Sequence, residues 1–364
     1  MARWRLPLPR AACALGLSVA AAVIALAALL LGWRAGLGGP SSKGAPAQEP
    51  NEAAPAPSGQ QDSSASAQGS ADTPDAPGAT ASTAHASAGD GSPDGRIVFV
   101  CQVFGDDRTN QICIVNADGT GFTRLTRNDQ ADHFYPSWAP DGQAVLYSSN
   151  ESGEYAVYEM DLSSGASRRL TYLGDDYAPA VSPDGSQVVF VHNDGQRETL
   201  WVIDRAGGSP NLLAAASAGD GWDPVWSPDG GRILFASSRA GGIQLFAADA
   251  LGSSVRQVTN VEGLRGRSDW SPDGSFLATY AGTSWNREVI LLDLQGSLLA
   301  QPTQGGNNLA PSIAPDGEWI AFTSYRDRYG DDNGCEIYIM RMDGSDLRRL
   351  TDNDYCDWQP RWGR

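Results

Sequence analysis

Residues 311–351 read PSIAPDGEWIAFTSYRDRYGDDNGCEIYIMRMDGSDLRRLT, and this stretch contains nearly every part of a repeat that recurs along the chain. Its tetrapeptide, Ser/Ala-Pro-Asp-Gly, occurs six times, and the successive aspartates are separated by 47, 43, 45, 44 and 43 residues. A period of this length is typical of propellers and solenoids. The six aspartates are Asp94, Asp141, Asp184, Asp229, Asp273 and Asp316.

The residues around each tetrapeptide predict four short strands per repeat. An extended segment that ends in Pro-x-Trp or a variant of it precedes the tetrapeptide, and an apolar run such as residues 144–147 follows it. A second alternating run, such as residues 336–340, leads to a glycine turn, and a last short segment ends near Leu-Thr, as at Leu350-Thr351. Four short antiparallel strands per repeat are typical of a propeller blade.

The two ends of the repeat region complement each other. The first tetrapeptide, at residues 92–95, has no Pro-x-Trp segment before it, whereas the chain stops at Pro360-Arg361-Trp362 with no tetrapeptide after it. We therefore expect residues 359–362 to form the innermost strand of a blade whose other strands come from residues 96–126. A ring closed in this way leaves only short, protected sheet edges, whereas a solenoid would need capping repeats.

The repeat resembles the TolB-type, WD40-like beta-propeller repeat. The family pattern of Leu-Thr, Pro-x-Trp-Ser-Pro-Asp-Gly, an apolar strand, Ile-Tyr and Asp-Gly is nearly complete in residues 311–351, and the resemblance covers residues 92–364. It implies an all-β fold, a six-bladed beta-propeller of four-stranded antiparallel blades. Proteins that resemble it include periplasmic binding proteins and non-catalytic propellers of larger enzymes, and propellers host many unrelated functions.

Three further segments are predicted before the propeller. Residues 11–33 carry no charge, and these 23 residues would form a helix of about 34 Å, enough to cross a hydrocarbon core of about 30 Å. The arginines among residues 1–10 predict a short cytoplasmic N-terminus and an exported propeller. A transmembrane signal-anchor helix is therefore expected over residues 11–33, with a cleaved signal peptide as the alternative. Residues 34–91, rich in Ala, Ser, Pro and Gly, are expected to form a disordered linker.

Four cysteines fall in the propeller region, and the blade pattern suggests how they pair. Cys101 ends one predicted strand and Cys113 lies in the next, where a simple hairpin register sets them opposite each other. Cys335 and Cys356 lie on one rim of the ring, so a bond between them would tie the closing strand to the last blade. Two disulfides would agree with export; the alternative is four buried free thiols.

Charge and motifs narrow the functional classes. The net charge is −17 and Lys43 is the only lysine, which disfavours nucleic acid and anionic membrane surfaces as partners. No common hydrolase, metalloprotease or nucleotide-binding motif occurs. The three histidines, His85, His133 and His192, could not supply the histidine-rich metal cluster of propellers resembling oligogalacturonate lyases, and structural roles are expected for the latter two.

Strand alternation predicts which side chains of the innermost strands face the central channel. One set should line it, and a second set should lie one step nearer the channel mouth, the end at which the inner strands begin. The tryptophans that directly follow residues of the first set should pack between blades; they are Trp138, Trp226, Trp270 and Trp362. The first set is Ser137, Ala180, Val225, Asp269, Ser312 and Arg361; the second is Tyr135, Ala178, Asp223, Arg267, Ala310 and Gln359.

Loop aromatics and carboxylates are expected to gather around this channel mouth. They include Phe134 and several aspartates among residues 129–132, 175–176, 220 and 352–357. Aromatic rings beside carboxylates on a concave rim suit a basic or amphipathic peptide, or a sugar; the alternative is that the rings cap the core between blades. The candidate partner-binding residues are Tyr135, Tyr177, Trp222, Asp223, Arg267, Asp269, Trp358 and Arg361.

The sequence as a whole favours a non-catalytic, membrane-tethered propeller outside the cytoplasm. We expect a monomer that binds a protein or peptide partner at the channel mouth without a cofactor. The alternative is a carbohydrate-active or cell-wall enzyme, or a glycan-binding protein, in which Asp223, Asp269 or Asp357 would act as acid and base. Calcium is a weaker possibility, because neither residues 352–357 nor residues 327–333 match the spacing of a calcium loop.

Overall fold

The computed structural model describes residues 92–102, 109–213 and 215–364. The predicted N-terminal segment, signal-anchor helix and linker, residues 1–10, 11–33 and 34–91, lie outside these described residues. In the described part of the chain, no helix combines the length and apolar character needed to cross a bilayer. The one helical element there is a single 3-10 turn, Ala216–Ala218.

The described residues form six antiparallel sheets of four strands each, which we call blades 1 to 6. The strands of blades 1 and 2 are β1 (Arg96–Gln102), β2 (Asn110–Asn116), β3 (Thr123–Arg124), β4 (His133–Trp138), β5 (Ala144–Ser149), β6 (Ala156–Asp161) and β7 (Ser167–Arg169). Those of blades 3 and 4 are β8 (Asp176–Val181), β9 (Gln187–Asn193), β10 (Glu198–Asp204), β11 (Asn211–Leu212), β12 (Trp222–Trp226), β13 (Arg232–Ser237), β14 (Gln244–Asp249) and β15 (Val255–Gln257). Those of blades 5 and 6, with the closing strand, are β16 (Asp269–Trp270), β17 (Phe276–Thr283), β18 (Asn286–Asp293), β19 (Leu298–Ala300), β20 (Asn308–Ile313), β21 (Trp319–Ser324), β22 (Glu336–Arg341), β23 (Arg348–Arg349) and β24 (Asp357–Gly363).

The ring closes as the sequence predicts. The last strand, β24, pairs with β1 and completes blade 1 in the order β24-β1-β2-β3, with Ile97 opposite Trp362. In each of the other blades the inner strand is the first one along the chain: β4, β8, β12, β16 and β20. These inner strands contact one another in sequence around the ring, and β24 lies between β20 and β4. The first and last parts of the propeller are therefore held in one sheet.

The hydrophobic core lies between the blades. Buried clusters join blade 6 to blade 1, blade 2 to blade 3, blade 4 to blade 5, and blade 5 to blade 6. Tryptophans of the inner strands fill the wedges, as predicted: the indole Nε1 of Trp138 donates to the carbonyl of Arg361 (3.0 Å), and that of Trp226 to the carbonyl of Ala180 (3.2 Å). Each bond connects one blade to the preceding one.

The repeated motifs have local structural explanations. In the turn at Asp229, the carboxylate accepts hydrogen bonds from the Gly231 N–H (2.9 Å) and the Ser227 hydroxyl (2.5 Å), while Gly230 adopts φ +70°. The threonine of Leu-Thr joins two strands of its blade: the Ile112 N–H donates to Thr126 Oγ1 (2.8 Å). These contacts give the recurring aspartates and threonines a structural role.

Both predicted disulfides are present, Cys101–Cys113 and Cys335–Cys356. The hairpin register differs from the prediction, because Cys101 lies opposite Gln111 and Cys113 lies opposite Phe99. The first bond therefore runs diagonally across neighbouring pairs of β1 and β2 rather than between directly opposed residues. The second joins the residue before β22 to the residue before β24, so it links blade 6 to the closing strand.

Candidate functional site

The inner strands share a backbone irregularity that aims side chains into the channel. In five of them, the residue before a proline adopts a left-handed conformation with φ between 49° and 55°. The pairing with the next strand shifts its register at the same place. A bulge of this kind re-aims the side chains next to it, and proline, which has no N–H, fits where the ladder is broken. The five residues are Tyr135, Ala178, Asp223, Ala310 and Gln359.

Blade 5 departs from this pattern and closes the channel. Its chain has Ser268 where the other five inner strands have proline, in the segment Gly266-Arg267-Ser268, and β16 is only two residues long. Arg267 reaches across the ring, and its Nη2 donates to the carbonyls of Pro136 (3.1 Å) and Gln359 (3.4 Å), in blades 2 and 1. Its guanidinium lies 5.8 Å from the ring centre of Tyr135. Arg267 is only 5% exposed, so it acts as a bar across the channel.

Two tyrosines complete this closure. The Tyr135 N–H donates to Gln359 Oε1 (2.9 Å), and its ring lies 5.7 Å from that of Tyr177. Both tyrosines are buried, and burial raises the pKa of each phenol above its usual value. The Tyr177 hydroxyl donates to Glu198, a half-buried carboxyl whose pKa is raised by burial and by the nearby charges of Asp220 and Asp223.

The channel mouth carries fewer accessible aromatic rings than the sequence suggests. Phe134 and Tyr177 are each 2% exposed, whereas Trp222 and Trp358 are half-buried. Phe134 meets Trp358 edge to face at 5.7 Å between ring centres and also lies against Tyr155. Phe134 therefore takes the core-capping position that the sequence left as the alternative, while Trp222 and Trp358 present part of their surface.

Exposed carboxylates lie in the loops that lead to the inner strands β4 and β24. The side chains of Asp129, Asp352 and Asp354 are 62%, 79% and 90% exposed. Each is paired with an arginine, Asp354 with Arg328 at 3.1 Å. Because exposed ion pairs are weak, a basic partner could displace them.

Asp357 differs from its neighbours in the same loop. It is 1% exposed, accepts a hydrogen bond from Asn353 Nδ2 (2.8 Å) and faces the buried Glu336. Burial and the Glu336 charge raise the pKa of Asp357 to about 7. The three acids of this segment therefore bond to different residues: Asp352 to Arg349, Asp354 to Arg328 and Asp357 to Asn353. Across the described residues, no three His, Cys, Asp or Glu side chains are placed to hold a metal ion.

A cavity opens at the opposite end of the channel, which we call the turn face because the Pro-Asp-Gly turns lie there. Its volume is about 160 Å³, and it is bounded by the C-terminal halves of the inner strands. Both sets of channel residues predicted from strand alternation contribute to its wall. Those present are Ser137, Ala178, Ala180, Asp223, Val225, Arg267, Asp269, Ser312 and Arg361.

Asp269 anchors one side of this cavity. Its Oδ1 accepts from the Trp270 N–H (3.0 Å), and its Oδ2 accepts from the Ser312 hydroxyl (2.9 Å) and the Ile313 N–H (3.0 Å). Arg361 Nη1 lies 3.5 Å from the same oxygen and donates to the carbonyl of Ser268 (3.1 Å). This carboxylate therefore joins blades 5, 6 and 1 by hydrogen bonds and charge.

The structure thus divides the candidate residues among three levels. Trp222 and Trp358 lie at the channel mouth, and Tyr135, Tyr177 and Arg267 form the closure beneath them. Asp223, Asp269 and Arg361 line the cavity at the turn face, where Arg267 also forms part of the wall.

The chain is similar to known propellers over most of the described region. The model of the TolB beta propeller domain matches residues 78–195 and 173–331. The chain belongs to the TolB beta propeller family. TolB from Acinetobacter baumannii shares the fold, with a TM-score of 0.67 and 24% identity, over 75% of this chain and 67% of that one.

Curated relatives of this TolB-type chain match shorter regions. Protein TolB homolog of Chlorobium chlorochromatii is 28% identical over 124 residues, 34% of this chain and 27% of that protein. A protein of Agrobacterium fabrum named Uncharacterized protein Atu1656 is 37% identical over 93 residues, 25% of this chain and 30% of that protein. The chain therefore matches less than a third of the length of either relative.

Two carboxylates with distinctive surroundings were not singled out from the sequence. Glu198 and Glu336 are the first residues of β10 and β22, and each lies close to an aspartate of the loop that leads to an inner strand. The sequence signal is their shared position, because Gln111, Gln244 and Glu288 lie at similar places near the start of the third strand. The Thr126 hydroxyl donates to Gln111 as the Thr351 hydroxyl donates to Glu336. The position of Glu198 and Glu336 in the repeat does not show that their carboxylates are buried.

Proposed function

We propose that this TolB-type propeller is a non-catalytic binding module that engages a protein or peptide partner at its channel mouth. The observation that carries the proposal is that Trp222 and Trp358 stay half-buried at the mouth, where the loops before β4 and β24 carry exposed carboxylates. Aromatic side chains with a supported base and a polar surround are typical binding hot spots. Such a surface suits a segment with basic and apolar residues.

The closure of the channel supports this assignment. Tyr135, Tyr177 and Arg267 are buried and contact one another or neighbouring blades, so the mouth has a rigid floor. A rigid platform binds with little loss of side-chain entropy. In this proposal the tyrosines and Arg267 shape the mouth rather than touch the partner.

Asp269 and Asp357, two of the three carboxylates expected for acid–base catalysis, receive other roles in this proposal. Asp269 is held by three hydrogen-bond donors in the cavity at the turn face, and Asp357 is buried beside Glu336. Both have contacts that suit structural anions. A carbohydrate-active enzyme would instead need two accessible carboxyl groups flanking one bond.

The same proposal places the propeller outside the cytoplasm, tethered by residues 11–33. Its two disulfides support an oxidising compartment, and the N-terminal charge pattern supports an exported propeller. Fractionating cells that express the chain, with and without treatment of the outer surface by protease, would test the location. Recovery of intact propeller in the cytoplasm would contradict it.

The binding proposal is tested by comparing partners captured from envelope extracts. The full chain is the bait, and the variant Trp222→Ala/Trp358→Ala is compared with Phe122→Ala, which removes an aromatic ring that is 50% exposed on the loop before the outer strand of blade 1. We expect a protein retained by the wild type and by Phe122→Ala but reduced at least ten-fold with the double variant. Equal capture by all three chains, with matching melting curves, would move the site elsewhere.

A further inference from the structure

The cavity at the turn face has two chemically different walls. Ala180, Val181 and Val225, from blades 3 and 4, form an apolar wall, and Asp223, from blade 4, also lines the cavity. Arg267, Asp269 and Arg361, from blades 5 and 1, form a charged wall. A ligand that fits both walls needs a charged group on one side and a small apolar group on the other.

Two buried donors in this cavity have no partner. Ser137 lines the cavity, is 8% exposed, and its hydroxyl makes no hydrogen bond. Arg267 is 5% exposed, and its Nε also lacks an acceptor. A buried polar group without a partner costs about 1–3 kcal/mol, so both favour a ligand that brings acceptor atoms.

Arg361 adds further donor capacity. A guanidinium carries five N–H groups, and the recorded contacts of Arg361 in the cavity, with the Ser268 carbonyl and Asp269, both use Nη1. Its side chain remains 13% exposed, so it is reachable from the cavity.

The cavity lining contains two carboxylates, Asp223 and Asp269, and the oxygens of Asp269 already accept hydrogen bonds, as described above. Burial lowers the pKa of Arg267 to about 9, and the Arg361 charge adds to this, while the charges of Asp223 and Asp269 act in the opposite direction. The two arginines therefore keep a mutual repulsion that these carboxylates offset in part, and an anion bound near both arginines would offset it further.

We propose that this cavity binds a carboxylate that carries a small apolar group. The carboxylate oxygens accept from Arg361, Arg267 and Ser137, and the apolar group packs against Val225 and Val181. This site lies at the opposite end of the channel from Trp222 and Trp358, so the inference does not depend on the proposed function.

The size of the cavity limits the ligand. About 160 Å³ exceeds the roughly 30 Å³ that one water occupies in the liquid, but is below the roughly 300–1,000 Å³ of pockets for larger ligands. It suits either a short-chain acid or the last residue of a peptide. Both ligands carry a carboxylate, and the experiment below distinguishes between them.

The test is calorimetric titration of the full chain at pH 7 with three probes. The first is Gly-Gly-Val with a free C-terminal carboxylate, the second is the same peptide amidated at the C-terminus, and the third is isobutyrate. We expect the free-acid peptide to bind at least ten-fold more tightly than the amide. Binding of isobutyrate as well would support a short-chain acid as the ligand, and binding of the peptide alone would support a chain end.

Substitutions in the cavity wall test whether the peptide binds there. Arg361→Gln should weaken binding of the free-acid peptide at least ten-fold, and Ser137→Ala, which removes one hydroxyl, should weaken it several-fold. Arg127→Gln, an exposed arginine in the loop after β3, is the matched control and should bind like the wild type. Trp222→Ala/Trp358→Ala should also leave the affinity unchanged.

Two results would overturn the proposal. One is equal affinity for the free acid and the amide, or no binding of any probe. The other is unchanged affinity in Ser137→Ala and in an Arg361→Gln chain that melts like the wild type. If Arg361→Gln does not fold, the comparison of acid with amide and the Ser137→Ala variant still decide the outcome.

Discussion

At the scale of single residues, the carboxyls of Asp357 and Glu336 form a buried acidic pair. Asp357 receives a hydrogen bond from Asn353, and Glu336 accepts from Thr351 and from Arg349 (3.1 Å). Burial raises the pKa of both groups. The folded chain therefore holds a proton on Asp357 at pH values where an unfolded aspartate, with a pKa of about 3.9, has lost it.

This difference predicts a dependence of stability on pH. Between about pH 4 and pH 7 the folded state binds more protons at this site than the unfolded state, so the free energy of unfolding falls as pH rises. Asp357→Asn cannot ionise, and its stability relative to the wild type should improve by roughly 2–3 kcal/mol between pH 5 and pH 8. Urea unfolding at the two pH values measures the change.

Asp354→Asn controls for the loss of one negative charge, since that side chain is 90% exposed in the same loop. If the difference in the free energy of unfolding between the wild type and Asp357→Asn stays constant across the pH range, the pKa of Asp357 is not raised.

At the scale of strands and loops, the two disulfides constrain different parts of the ring. Cys101–Cys113 joins neighbouring strands of one hairpin, and Cys335–Cys356 connects blade 6 to the segment that enters β24. Their sequence separations are 12 and 21 residues, for which chain entropy gives similar contributions of about 3 kcal/mol. What distinguishes them is the element that each one holds in place.

We expect removal of the second bond to loosen the C-terminus selectively. In Cys335→Ser/Cys356→Ser, β24 keeps only its non-covalent contacts, so carboxypeptidase should remove the C-terminal residues faster than from the wild type. Cys101→Ser/Cys113→Ser should lose a similar amount of stability but retain slow C-terminal trimming. Mass spectrometry of timed digests gives both rates, and equal rates in the two variants would contradict this role.

The same scale shows what could be predicted from the sequence and what could not. The turns at Asp229 and its counterparts follow from local chemistry, because Pro, Asp and Gly each determine a backbone angle or a nearby hydrogen bond. Tyr135 and Arg267 were placed near the channel by simple alternation. Their burial depends on bulges and on contacts across the ring, which no single repeat contains.

The division of the candidate site into two ends has the same origin. Trp222 and Asp223 are adjacent in sequence, yet one lies at the channel mouth and the other lines the cavity at the turn face. The closure between those ends depends on Arg267, which comes from the one blade that departs from the repeat. Spacing within a repeat could place each residue on an inner strand but could not show a barrier built from several blades.

At the scale of the whole molecule, the pairing of β24 with β1 closes the ring. Trp362 donates from its indole Nε1 to the carbonyl of Asp94 (2.8 Å), and its own N–H donates to the Ser312 hydroxyl (3.0 Å). One residue therefore contacts both blade 1 and blade 6. Without this strand, β1 would present an unpaired edge above a buried apolar face.

We expect deletion of residues 359–364 to open the ring. The shortened chain should bind a dye for exposed apolar surface and elute as aggregates in size-exclusion chromatography, whereas deletion of the exposed Arg364 alone should elute like the wild type. A monodisperse, cooperatively melting 1–358 chain would show that closure is not required for folding.

The irregular blade 5 makes the ring asymmetric about its central axis. Six identical blades would surround the axis with six equal walls, and an asymmetric molecule entering there would find six equivalent orientations. A single bar from one blade, with cations on one wall and aliphatic side chains on the other, removes that degeneracy. Because one repeat differs from the other five, the channel is asymmetric about its axis, and a molecule that enters it can be held in a single orientation.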